Sequence, residues 1–174
     1  MSWLNPYPEK RIRNIEFISK KVGVPILLAI TIGKKCQVEK KITLTKAQKQ
    51  LGDKLNAQAE KLIKAKELVK AKQLLKNALQ KTPGHHTLCM NLGYVCKELK
   101  LYDEAISAYR KALKSKPQEL EPFSQIGMCY ELAGKYSEAL KVYRESLAKD
   151  INQPDIIARL KKVKNILAAK RKQK

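Results

Sequence analysis

Four cysteines and two histidines are the side chains best equipped for metal or thiol chemistry: Cys36, Cys89, Cys96 and Cys129, with His85 and His86. A structural zinc site needs ligands in close pairs, such as C-x-x-C with a second pair beyond it. No two of these cysteines form a C-x-x-C pair, and His85, His86 and Cys89 stand together without a second ligand pair. No metal is therefore expected. The sequence also carries no glycine-rich phosphate loop, nucleophile elbow or paired-carboxylate motif. It reads as a non-enzyme, with no catalytic residue, no cofactor and no small-molecule substrate. Thiols outside any disulfide framework fit a reducing, intracellular compartment, cytoplasmic or mitochondrial.

The chemistry that remains is charge. The 174 residues carry 37 Lys and Arg against 16 Asp and Glu, a formal net charge of +21. Residues 1–51 hold +8 and residues 154–174 hold +7, so the cations gather at the two ends. Such ends suit a polyanion, and RNA is the partner expected for them. Candidate contacts are Lys10, Arg11, Arg13, Lys20, Lys21, Lys34 and Lys35 at the start, then Lys161, Lys162, Lys170, Arg171, Lys172 and Lys174 at the finish. Lysine supplies 31 of the 37 cations. Compact ammonium charges suit phosphate neutralisation better than the reading of base edges, which favours the planar fork of Arg.

The elements that position these residues announce themselves by a 34-residue period. Gly52, His86 and Leu120 superpose as the first residues of three rows. In each row an alanine recurs (Ala71, Ala105, Ala139), then a bulky side chain (Leu75, Tyr109, Tyr143), then a small one (Ala78, Ala112, Ser146). Pro83 and Pro117 close two rows, and Leu92-Gly93 matches Ile126-Gly127. Leu88, Leu92, Val95 and Leu99 repeat at helical spacing, which marks one apolar face of a helix. Small residues supply notches where helices cross, and the tyrosines fill the space opposite.

This period and its small/large alternation resemble the tetratricopeptide repeat. The resemblance covers residues 52–153, as units 52–85, 86–119 and 120–153. It implies an all-α fold, a right-handed superhelical stack of antiparallel helix pairs. The first unit departs most from the pattern, with Ala59 as its notch and Gln58 at a position usually apolar. In the third, Ile151 replaces the closing proline. Cys89, Cys96 and Cys129 fall at or beside helix-packing positions, so core packing is their expected role. Residues 154–174 read as a capping helix with a basic tail: Ile156, Leu160, Val163 and Leu167 form its apolar stripe.

Residues 1–51 form a basic N-terminal arm or helical hairpin. The apolar run Val22–Ile32 is 11 residues long and contains Pro25, too short for the roughly 20 residues that cross a bilayer. Either a hairpin packs on the first unit, or an apolar arm is buried in a partner.

The family binds peptides along an inner groove lined by the first helix of each unit. Carried over by register, the lining residues are Asp53, Asn56, Glu60 and Lys64; Met90, Tyr94, Lys97 and Glu98; and Glu121, Ser124, Met128 and Glu131. Five of the twelve are acidic, so a basic or apolar guest is expected. Tyr94 either anchors that guest or packs between units. Family members that clamp a chaperone's terminal carboxylate use cations and asparagines; here only Asn91 matches, while Asn56, Glu60, Glu121 and Gln125 occupy the other clamp positions. The reading that results is a non-catalytic scaffold, best placed as a basic structural subunit of an RNA-containing complex such as an organellar ribosome. The alternative is a freestanding adaptor docking a peptide, or a scaffold on tubulin or an anionic membrane.

Overall fold

A computed structural model describes residues 44–172, and regular structure among these is wholly helical. Seven helices follow in order: α1 (Lys46–Lys64), α2 (Leu68–Lys81), α3 (His86–Glu98), α4 (Tyr102–Ser115), α5 (Glu121–Leu132), α6 (Tyr136–Lys149) and α7 (Pro154–Lys172). Each packs on the next, and α1 also meets α3. Six helices therefore make three pairs, with the seventh laid on the last pair.

The notches work as the sequence implies. A Cβ added at Gly93 would stand 2.6 Å from Cε1 of Tyr109, and one at Gly127 would enter the ring of Tyr143. Both tyrosines are almost wholly buried, and burial pushes their hydroxyl pKa values upward. Ala71, Ala105 and Ala139 are fully buried at the matching crossings.

The first helix begins earlier than the 34-residue period indicates. Thr45 caps it: its hydroxyl accepts from the Gln48 backbone N–H at 3.2 Å, and Gln48 Oε1 accepts from the Thr45 N–H at 3.0 Å. This reciprocal box satisfies two donors at the helix start, and it adds six residues ahead of Gly52.

Within each pair the turn is the same. Lys66, Lys100 and Gly134 all adopt positive φ, between 58° and 72°. After α1, the Glu67 N–H bonds Leu62 O and the Lys66 N–H bonds Ile63 O, which is the Schellman arrangement. The same two bonds recur 34 and 68 residues later. Only Gly134 is the residue type that usually marks such a turn.

Between α6 and α7, Gln153 does the work of the missing proline. Its amide donates to Ser146 O at 2.9 Å and to Asp150 O at 2.6 Å, and its carbonyl accepts from Ser146 Oγ. The carbonyl of Ser146 in the last turn of α6 and that of the C-cap Asp150 are thereby satisfied.

One stripe distinguishes the first helices of the units from one another. On α3, Leu88, Leu92 and Val95 are buried in the core, with Leu99 half-buried at its C-cap. The same register gives Pro122, Ile126 and Cys129 on α5 with Ala133 at its C-cap, and Ile156, Leu160, Val163 and Leu167 on α7. On α1 it gives Lys54, Gln58, Lys61 and Ala65, all exposed. Gln58 thus belongs to a polar, exposed stripe, not to a degenerate core position.

Candidate functional site

The first helices of successive units touch through polar side chains, which ties α1, α3, α5 and α7 into one face. Between α1 and α3, the Asn91 amide donates to Asn56 Oδ1 at 2.7 Å, and the Asn56 amide donates to Glu60 Oε1 at 2.8 Å. Asn56 is buried; such a satisfied buried pair fixes the register of the two helices. Asn91, the one residue that matches the clamp pattern, therefore commits its amide to this link. Between α3 and α5, Lys97 Nζ donates to Gln125 Oε1 at 3.2 Å. Between α5 and α7, Glu131 meets Arg159 at 3.5 Å and Lys162 at 3.8 Å, and accepts a short hydrogen bond from the Tyr143 hydroxyl.

Tyr94 is 41% exposed. Its ring lies under the Lys97 ammonium, 5.3 Å from the centroid, an arrangement in which the ring quadrupole attracts the cation. Part of the Tyr94 ring therefore stays open to solvent beside Lys97. Met128 occupies the same register position one unit later and is half-buried, as is Met90.

The acidic residues on this face are not equivalent. Asp53 is largely exposed and sits 3.2 Å from Nε2 of His85, whose ring is buried over Gly52. Glu60, Glu98 and Glu121 are exposed, with Glu98 4.0 Å from Lys97. Glu131 is only 10% exposed and is matched by two cations and a hydroxyl. It is a structural tie, not an open charge, which corrects the expectation that it adds to the potential of the groove. Lys64 is exposed at the end of α1, and Ser124 is half-buried where α5 faces α7.

Arg159 is absent from the expected lining, and Lys162 is expected to meet a polyanion, yet both stand beside Ser124 of that lining. With Ser124, Asp155 and Ala158 they line a cleft of about 430 Å³ between α5 and α7. A neighbouring cleft of about 210 Å³ is lined by Glu121, Ser124, Asp155 and other residues of the α6–α7 corner. Carrying the 34-residue register on from Leu120 to Pro154 finds both cations, because α7 is the next first helix in the series.

The other end cations lie elsewhere. Lys161 is exposed on the outward stripe of α7 with Ile157, Lys164 and Arg171. Lys170 covers the ring of Tyr136 at 4.6 Å, and Lys172 ends the helix. Lys10, Arg11, Arg13, Lys20, Lys21, Lys34, Lys35 and Lys174 lie outside the described residues, as do Cys36 and the run Val22–Ile32. So does the choice between a hairpin and an apolar arm.

Cys89, Cys96 and Cys129 are fully buried. Burial pushes the thiols of Cys89 and Cys129 up to about 11 and raises that of Cys96, so they pack as small apolar groups. Among the described residues no group of three His, Cys, Asp or Glu side chains could hold a metal, and no helix is long and apolar enough to cross a membrane.

Comparison with known proteins agrees with this geometry. Residues 85–150 match the tetratricopeptide repeat family model. The cell division cycle protein 16 homologs of Homo sapiens and Mus musculus are each 38% identical over 60 residues, 34% of this chain. The chain spans about a tenth of the length of these curated relatives. Among solved structures, the first TPR of Spaghetti (RPAP3) bound to an HSP90 peptide superposes with a TM-score of 0.63 at 22% identity, over 69% of this chain and 95% of that one. The second TPR domain of human RPAP3, in complex with an HSP70 peptide, gives 0.62 at 15% identity over 67% and 98%. The N-terminal domain of C. elegans STI-1 gives 0.63 at 18% identity over 69% and 99%.

Proposed function

Because residues 85–150 are tetratricopeptide repeats, we propose that the protein is a non-catalytic scaffold that docks an extended partner segment on the face formed by α1, α3, α5 and α7. The observation that carries this reading is Tyr94. A tyrosine 41% exposed, braced from one side by Lys97, offers large contact area at little entropic cost. Met128, one unit on, offers an adaptable apolar neighbour. Asp53, Glu60 and Glu98 make the α1–α3 half of the face favourable to a basic or apolar stretch of the guest. Two of the solved relatives hold chaperone peptides. With Asn56, Glu60, Glu121 and Gln125 at the clamp positions, the guest of this chain differs from those peptides.

A second reading has its own observation. On α7 the outward stripe carries Lys161, Lys164 and Arg171, all exposed. These cations support a basic structural subunit of an RNA-containing complex, in which lysines neutralise phosphates while the inner face holds a protein neighbour.

Affinity purification of the full chain separates the two. Tyr94→Ala with Met128→Ala should release protein partners while helix content stays unchanged; retention of every partner by a folded double variant removes the docking reading. Nuclease should release the chain from RNA-containing particles, and RNA affinity should fall steeply with salt if the second reading holds.

A further inference from the structure

The cleft between α5 and α7 is where the inner face changes sign. Its walls are Ser124 on α5 and Asp155, Ala158, Arg159 and Lys162 on α7. Arg159 and Lys162 approach Glu131 at 3.5 and 3.8 Å, longer than the 2.7–2.9 Å of a well-made charge-assisted bond. Glu131 Oε1 is occupied at the same time by the Tyr143 hydroxyl. One carboxylate, nearly buried, therefore orients two cations without saturating them: a guanidinium has five N–H donors and an ammonium three. Both side chains stay open, Arg159 at 36% and Lys162 at 68%. Asp155 is the opposing charge on this wall. It lies in the first turn of α7, where the helix N-terminus favours a carboxylate, one turn ahead of Arg159, with Glu121 facing the same end. Negative charge thus sits at the top of the cleft, and cations sit one and two turns further along.

We propose that this cleft is an anion-accepting subsite that seats a side-chain carboxylate of an acidic partner segment on Arg159 and Lys162. The inference rests on the inner face being the docking face and assigns the chemistry of its far end. A guest would then run from a basic or apolar stretch over α1 and α3 to an acidic one against α7. The volume, about 430 Å³, is ample for an acidic side chain and its flanking backbone.

The test uses the full chain and fluorescein-labelled octaglutamate, with binding read by anisotropy. Arg159→Gln with Lys162→Gln removes both charge-assisted donors and should weaken binding about tenfold or more, which is about 1.4 kcal/mol. Lys161→Gln with Lys164→Gln removes the same charge from the outward stripe and should change it less than about twofold. Ala158→Trp fills the cleft without altering charge and should reproduce the loss, which covers the case in which the Arg159 and Lys162 variant fails to fold. Equal losses from the inner and outer pairs mean diffuse charge and overturn the proposal, as does full binding by folded Ala158→Trp. A labelled RNA 12-mer that responds to the inner pair when octaglutamate does not makes the occupant nucleic acid and overturns it too. If Tyr94→Ala with Met128→Ala releases partners while the inner pair leaves octaglutamate binding unchanged, the docking face stands and this subsite falls.

Discussion

At the front of the stack, α1 presents Lys54, Gln58, Lys61 and Ala65 where α3 presents Leu88, Leu92, Val95 and Leu99. At the back, α7 keeps that stripe apolar. It departs elsewhere, with Lys161 and Lys164 where α3 carries Gly93 and Cys96 and α5 carries Gly127 and Tyr130. Among the described residues, one end is polar on the face that would receive a preceding pair, the other on the face that would receive a partner helix. Neither end is less hydrophobic by some general drift; each changes at the few register positions that meet the missing neighbour. A repeat array ends by such substitutions, because an apolar stripe left open would expose contiguous hydrophobic surface.

The sharpest way to break this comparison is to make one substitution at one register position in the middle and at the end. Gly127→Leu drives a side chain into the buried ring of Tyr143 and should cost on the order of 1–3 kcal/mol of unfolding free energy. Lys161→Leu, 34 residues later on an exposed stripe, should stay within about 0.5 kcal/mol. Urea denaturation of both variants checks the pair. Equal costs would mean that α7 is not open on that face.

Much of this is legible in the sequence, for a physical reason. Helix crossings need small residues at fixed intervals, so the spacing of Gly93, Gly127 and the three alanines is enough to betray the fold. The polar stripe of α1 is written there as well, in a form easily mistaken for weakness. Gln58 looks like a faulty core residue until Lys54 and Lys61 are placed on the same stripe. What the period does not disclose depends on side-chain reach across helices. Glu131 reads as an open acid, yet the Tyr143 hydroxyl twelve residues on and Arg159 twenty-eight residues on converge upon it. Lys66 and Lys100 reveal nothing of their left-handed turns, because lysine is not a turn signal and only the common register with Gly134 exposes the role.

A smaller effect on stability, but a visible one on association, is expected from rebuilding the front stripe. Lys54→Leu with Lys61→Leu gives α1 the apolar pattern that α3 buries in the core. Unfolding free energy should move by no more than about 0.5 kcal/mol per site, because both positions are exposed. The new stripe has no neighbour among the described residues, so self-association should follow. Sedimentation velocity at several concentrations reads it. A double variant that sediments like the parent at every concentration shows that this face is already covered.

The smallest effect separates the middle from the ends by chemistry. All three described cysteines lie on α3 and α5, and none on α1 or α7, so thiol reactivity reports on the middle alone. Burial disfavours the thiolate and lifts Cys89 and Cys129 from 9.0 to about 11. Two pKa units lower the thiolate fraction at pH 8 about a hundredfold relative to the unfolded chain. A group whose folded pKa is raised contributes its full stability below the unfolded value and loses it as pH climbs through the folded one. Stability should therefore be flat from these thiols below pH 9 and decline between about 9 and 11. In a Cys36→Ser variant, the three remaining thiols should react with a disulfide reagent at pH 8 only as fast as the middle of the stack opens, and promptly in urea. Rapid labelling of two or more thiols in the native protein would place a low-energy opening in α3 and α5, and the apolar centre would then not be the sealed core that its burial describes.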